Sequence, residues 1–271
     1  MSILAEIDTL FWTRLFWSFL VGAIWVSAIT VVAEKFGSKV GGFIGGLPST
    51  IVVALFFIGL SQDLNAAREA TTLIPLQMGI NGVFIVTYLA TVRFGLFPGL
   101  GSALAVWALL TSLVIIVGFN HFPASLMIWG GLLVFSFLMS EKGMTIHSKG
   151  GIRVPYTPAQ IATRGIISGL IISFAVLIGR LSGPLIGGIF STFPVIFMST
   201  LFITHRTGGR EFSRAVAKTL MLSGMINVVV YAVVSRYAFQ VTGLVAGSLI
   251  AMIVSMLFAG LTYQVIRRQT L

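Results

Sequence analysis

The chain contains no cysteine. Disulfides and thiolate metal sites are therefore excluded, and the redox compartment leaves no mark on the sequence. Acids are nearly as scarce: there are seven in 271 residues, Glu6, Asp8, Glu34, Asp63, Glu69, Glu141 and Glu211. Histidine occurs three times, as His121, His147 and His205, with no pair at a metal-ligand spacing. Charged residues of all kinds make up 9%, against about 25% in soluble domains. Apolar residues fill the space instead, at 57% of the chain. Uninterrupted runs of roughly 18 or more recur along the length, and such runs read as membrane helices. The longest polar stretch, 141–160, is too short to bury a core of its own. No basic segment precedes the first apolar run, so a cleaved signal peptide is not expected. The expected class is an all-α polytopic membrane protein.

Hydropathy with Gly and Pro punctuation predicts nine transmembrane helices. They run over 11–33, 41–60, 72–92, 98–118, 124–140, 160–179, 184–204, 215–235 and 241–265. Lys and Arg concentrate on the cytoplasmic side of membrane proteins. With the N-terminus outside and the C-terminus cytoplasmic, thirteen of the 17 basic residues fall inside and four outside. An even number of spans would break that alternation. The expected location is the cell inner (cytoplasmic) membrane, multi-pass.

The stretch GGFIGGLPST (41–50) holds four glycines, a proline and two hydroxyls where a helix should run unbroken. It nearly recurs as GPLIGGIFST (183–192), with six identities at a shift of 142. Gly82/Gly224, Val92/Val234 and Gly101/Gly243 continue the same register. Spans 1–4 then match spans 6–9, and span 5 has no counterpart. One extra crossing between the halves inverts the second relative to the first, which is characteristic of many secondary transporters. The expected organisation is 4+1+4: a first four-helix repeat (1–120), a connector helix and cytoplasmic loop (121–159), and an inverted second repeat (160–271). Duplication into a symmetric bundle without transport remains an alternative.

Depth gives the breaks meaning. Ser49 lies ten residues beyond Lys39, or about 15 Å at 1.5 Å per residue, close to half of a ~30 Å hydrocarbon core. Ser191 lies eleven residues beyond Arg180, at similar depth from the other face. Pro48 and Pro194 are expected to break the helices and free the carbonyls of Ile44 and Phe190. Ser49, Thr50, Ser191 and Thr192 are expected to cap restarting half-helices, whose N-terminal ends favour anions. Gly41/Gly45 and Gly42/Gly46 also have the small-xxx-small spacing of plain helix packing, and both readings stand. The candidate substrate-binding residues are Gly45, Gly46, Ser49, Thr50, Asn81, Gly187, Gly188, Ser191, Thr192 and Asn227. Asn81 and Asn227 line a path, or form interhelical hydrogen bonds. Arg180, on the outer side against the charge rule, attracts an anion or anchors at the interface.

All seven acids map to ends or loops. Membrane proton relays and cation sites use buried carboxylates, so a carboxylate-based proton antiporter or divalent-metal carrier is not expected. There is no Ser-His-Asp arrangement, no paired carboxylates, and no Gly-rich loop following a strand. Enzyme activity, metal, cofactor and nucleic-acid binding are not expected. The net charge of +10 makes anionic lipid head groups natural neighbours, and the basic run 204–218 serves equally as the inside signal.

From Ile189 to Val234 the sequence IFSTFPVIFMSTLFITHRTGGREFSRAVAKTLMLSGMINVVVYAVV resembles the GlpM-type family of small bacterial membrane proteins. The likeness lies in the apolar stretch broken at Phe193-Pro194, the charged turn, and the helix with small and polar residues. It covers about 160–265 and is weaker over 12–118, where Leu47-Pro48 precedes Ser-Thr instead of following it. The resemblance implies a four-helix unit, here as a fused duplicate.

The expected function is a secondary carrier or flippase for a small anionic or polar solute or lipid, binding between spans 2 and 7. The rival is a non-transporting membrane scaffold for envelope or polysaccharide assembly. A channel would need a more continuous polar lining. Homo-oligomerisation is left open.

Overall fold

The computed structural model describes residues 9–35, 47–142 and 156–269. These residues are helical almost throughout, and no strand occurs among them. Hydrocarbon offers no hydrogen-bond partners, so a spanning backbone must satisfy its own N–H and C=O groups. The elements are α1 (Thr9–Lys35), α2 (Ser49–Ser61), α3 (Leu64–Ala70), α4 (Ile74–Thr91), a 3₁₀ turn (Val92–Phe94), α5 (Leu96–Val117), α6 (Phe122–Lys142), α7 (Pro158–Leu181), α8 (Pro184–Ser191) and α9 (Val195–Gln269). Gly209 (φ 77°) and Gly243 (φ 79°) divide α9 into three legs, 195–208, 210–242 and 244–269. Glycine enters that backbone region without the penalty a Cβ brings.

Among the described residues six stretches are long and apolar enough to cross a membrane, which marks a multi-pass membrane protein. Two causes separate six from the expected nine. Helix α2 has 13 described residues, about 20 Å at 1.5 Å per residue, and residues 41–46 of the expected second span lie outside the described residues. The expected spans 7, 8 and 9 form one continuous apolar stretch, Pro184–Leu261, because the glycine breaks turn the chain without a loop.

Burial assigns places. The most apolar window of Leu64–Phe94 is 78% buried, against 17–22% for those of α1, α5 and α6. Helix α4 is therefore central, and the other three present apolar faces to lipid. Tyr88 and Phe84 of α4 pack with Leu55 of α2 and with Leu220 and Tyr231 of the middle α9 leg. Tyr88 Oη and Ser213 Oγ share a hydrogen bond (2.5 Å), and Trp129 Nε1 of α6 donates to the Met225 carbonyl (3.0 Å).

One cation fastens the middle leg of α9 to α3. Arg236 Nη1 donates to the Arg68 carbonyl (3.0 Å), Thr71 Oγ1 (3.2 Å) and Thr72 Oγ1 (3.1 Å). Its guanidinium stands 4.4 Å from the Phe122 ring centroid. Hydrogen bonds to a charged group contribute about 1.5–3 kcal/mol, so Arg236→Ala is expected to lower stability by about that amount. Thermal unfolding in detergent measures it; a change within about 0.5 kcal/mol, as for an uninvolved surface residue, contradicts it.

Helices α1 and α7 pack tightly and antiparallel. A Cβ on Gly165 would lie 2.7 Å from the Ala23 carbonyl oxygen, and one on Gly169 would lie 2.6 Å from that of Phe19. Ser27 Oγ donates to Ile161 O at 3.5 Å. Numbers rise along α7 as they fall along α1.

Candidate functional site

Two proline turns meet between α2, α4, α8 and the first leg of α9. Leu47-Pro48-Ser49 and Phe193-Pro194-Val195 share one hydrogen-bond pattern. Ser49 N donates to Leu47 O and Val195 N to Phe193 O, both at 2.7 Å. One turn on, Val52 N reaches Pro48 O at 3.0 Å and Met198 N reaches Pro194 O at 2.8 Å. Pro lacks the N–H that would continue the previous helix, and its fixed φ starts the next one.

Positions 48 and 194 are 146 apart, and other landmarks keep that spacing. The turn at Asp63 before α3 corresponds to the break at Gly209. Asn81 corresponds to Asn227. The contacts Gly165/Ala23 and Gly169/Phe19 exchange with one another under the same spacing. These landmarks share a spacing of 146, four residues from the expected 142.

The hydroxyl pairs consequently differ from expectation. Pro48 is the residue at the cap of α2, with no side-chain cap hydrogen bond, and Ser49 is the first helical residue. Ser191 ends α8 and Thr192 follows it. Their hydroxyls donate backwards to Gly188 O and Ile189 O, both at 2.6 Å. Neither pair caps a restarting helix; the restarts are at Ser49 and Val195. The Phe190 carbonyl accepts from Phe193 N at 3.1 Å, so the break closes its own loose end. Ile44, Gly45 and Gly46 lie outside the described residues.

Thr50 bridges the two turns, and Asn81 of α4 holds the second. Asn81 Nδ2 donates to Thr192 O at 2.9 Å, and Thr50 Oγ1 donates to Ser191 O at 3.3 Å. Ser49, Thr50, Asn81, Ser191, Thr192 and Asn227 are all buried. Asn227 sits apart, in the middle leg of α9, where Nδ2 donates to Ser223 Oγ at 3.0 Å and its carbonyl accepts from Ser255 Oγ at 2.8 Å. A void of about 30 Å³ lies between the turns, bounded by Pro48, Asn81, Thr192, Phe193 and Pro194. It has room for no more than a few waters.

Two residues missed in the sequence, Trp107 and Thr111, join the polar positions of α4. Gln77 and Asn81 lie one turn apart on α4, opposite Thr111 and Trp107, one turn apart on α5. Thr111 Oγ1 donates to Gln77 Oε1 at 3.0 Å, and the Trp107 ring meets Phe193 edge-on at 5.1 Å. Gln77 Nε2, Trp107 Nε1 and Asn81 Oδ1 are buried with no partner. Each such group costs about 1–3 kcal/mol. Of these atoms Asn81 Oδ1 belongs to a residue that borders the void, where it is a free acceptor for a small polar ligand. The 107/111 spacing carried the signal in the sequence.

Gly187 and Gly188 are occupied by protein. A Cβ on Gly187 would lie 2.8 Å from both Ala175 O and Gly179 Cα; on Gly188 it would lie 1.9 Å from Ala70 O. These two glycines let α8 pack on α7 and α3. Arg180 is exposed at the end of α7. Among the described residues no group of three or more His, Asp or Glu could hold a metal. Comparison with protein-family models, curated proteins and solved structures finds no match to the chain.

Proposed function

We propose that the protein is a membrane carrier or flippase that moves a small polar or anionic solute, or a lipid head group, through the crossing of the two proline turns. The observation that carries this reading is the pair of matching proline turns, bridged by Thr50 and bordered by the unpartnered buried Oδ1 of Asn81. Breaks and orphan polar groups at membrane depth are tolerated where protein or a water-filled path surrounds them.

Nine crossings in a 4+1+4 order complete the proposal, with the legs of α9 supplying three and the N-terminus outside. The antiparallel α1/α7 pair, whose contacts exchange at a spacing of 146, supports halves related by a two-fold axis in the membrane plane. The bounds 1–120, 121–159 and 160–271 then describe repeat, connector and inverted repeat, and a fused duplicate of a GlpM-like four-helix unit gives this plan. Rocking one half against the other would expose the crossing alternately to the two sides. The absence of acids from the crossing favours a neutral polar or anionic cargo over a cation.

The scaffold reading rests on the tight fit of Gly187 and Gly188. Flux separates the two. Proteoliposomes carrying the purified protein are tested with a panel of small anions, neutral polar solutes and labelled lipid analogues. Uptake or flip above protein-free liposomes is expected for at least one class, and weaker in Asn81→Ala. Flux equal to protein-free liposomes across the panel contradicts the carrier.

A further inference from the structure

We propose that Arg164 forms an oxyanion-binding site inside the end of the bundle that holds Tyr156, taking the phosphate or carboxylate group of a lipid or a free solute. Arg164 lies seven residues past the Thr157 cap of α7, about 10 Å along the axis at 1.5 Å per residue, and is only 6% exposed. Its polar contacts are meagre. Nη1 lies 3.5 Å from Tyr156 Oη, the guanidinium carbon is 5.9 Å from the Tyr156 ring centroid, and Nε is buried with no partner. No ion pair among the described residues involves it: Glu211 pairs with Arg210 and Arg214, and Glu141 with Lys218.

A guanidinium cannot shed its charge, and in a low-dielectric interior it needs an opposite charge or a full set of acceptors. One hydrogen bond at the distance limit and a ring at cation–π range supply neither. Ionisable residues inside membrane segments mark functional sites by default. The fold itself makes no demand for a cation here. The equivalent position, 146 residues earlier, is Ser18, whose hydroxyl is satisfied by the Leu15 carbonyl at 2.7 Å. Arg164 therefore breaks the internal symmetry.

The guanidinium fork matches the paired oxygens of a phosphate or carboxylate, and the buried Nε, without a partner among the described residues, leaves one edge of that fork unpaired. Tyr156, half-buried beside Arg164, packs on Ile203, Phe212 and Val216. Those residues flank the exposed Arg206 and Arg210, which draw anions toward this end of the bundle. The site stands whether or not the chain transports.

The test is thermal unfolding of the purified full chain in a zwitterionic detergent. One arm adds inorganic phosphate at constant ionic strength; the other adds phosphatidylglycerol against phosphatidylcholine. The wild type is expected to gain a saturable rise in unfolding midpoint in at least one arm. The arm that responds names the source. Arg164→Gln is expected to lose that rise, and Arg164→Lys, which keeps the charge and lacks the fork, to need at least tenfold more ligand. No rise in either arm, or equal half-saturation in wild type and Arg164→Lys, overturns the site. The lysine variant keeps the test decisive if the glutamine variant does not fold.

Discussion

Gly188→Ala is expected to destabilise the protein by about 3 kcal/mol or more, at or above the top of the usual range for overpacking. The added Cβ would stand 1.9 Å from the Ala70 carbonyl oxygen and 2.8 Å from its carbon. The obstacle is backbone, so no rotamer change relieves it. Helix α3 cannot simply retreat. Its first turn is held by Asp63, which accepts from Ala66 N at 2.8 Å, and its last by Arg236. Gly101→Ala is the control. Gly101 lies on the exposed face of α5 with nothing within 4 Å of its added Cβ, and alanine in a helix interior gains about 0.5–1 kcal/mol over glycine. Parallel unfolding of the two variants in detergent measures the difference; equal stabilities contradict the close approach of α8 to α3.

Asn81→Asp is expected to be comparably severe at neutral pH. It replaces a donor by a carboxylate oxygen facing the Thr192 carbonyl, 2.9 Å from the present nitrogen. A buried uncompensated charge costs several kcal/mol, and an aspartate at the centre of a membrane helix alone costs about 2.5–3.5 kcal/mol. Flux through the crossing is expected to fall at least tenfold, the equivalent of about 1.4 kcal/mol. At acid pH the carboxyl regains an O–H to donate to Thr192 O, so stability should recover as pH falls. Unfolding midpoints for wild type and variant across pH 4–8 test this. A constant gap, or one that widens toward acid, contradicts the hydrogen bond as the cause.

Much of the architecture was legible in the sequence because membrane helices write themselves as long apolar runs. The boundaries of α1, α5, α6 and α7 lie close to the expected ones for that reason. The spacing of 146 between the landmarks was harder. GGFIGG and PLIGGI share small residues every four positions, which is about one helical turn. A slip of four residues therefore lays the same face over itself and scores well. The register at 146 was present in Pro48/Pro194, Asn81/Asn227 and Gly37/Gly183, but those pairs are spread out and the glycines are dense. Ser-Thr pairs were read as caps because caps favour hydroxyls; here a proline precedes each helix, the hydroxyls of Ser191 and Thr192 bond back into their own helix, and that of Thr50 reaches across to Ser191 O. Trp107 and Thr111 were overlooked because an apolar segment disguises two polar groups that meet only across a helix interface. The burial of Arg164 could not be seen at all, since a basic residue near a span end reads as the inside signal.

The central claim is that equivalent points of the two halves face opposite sides of the membrane. The chain has no cysteine, so each introduced thiol is a unique label. Leu64 and Arg210 are equivalent at the spacing of 146, follow the turns at Asp63 and Gly209, and are both exposed. Leu64→Cys and Arg210→Cys are made separately and treated with a membrane-impermeant maleimide on intact cells and after permeabilisation. The account predicts that Leu64→Cys reacts from outside on intact cells and that Arg210→Cys reacts only once the membrane is opened. Labelling of both from the same side would contradict it.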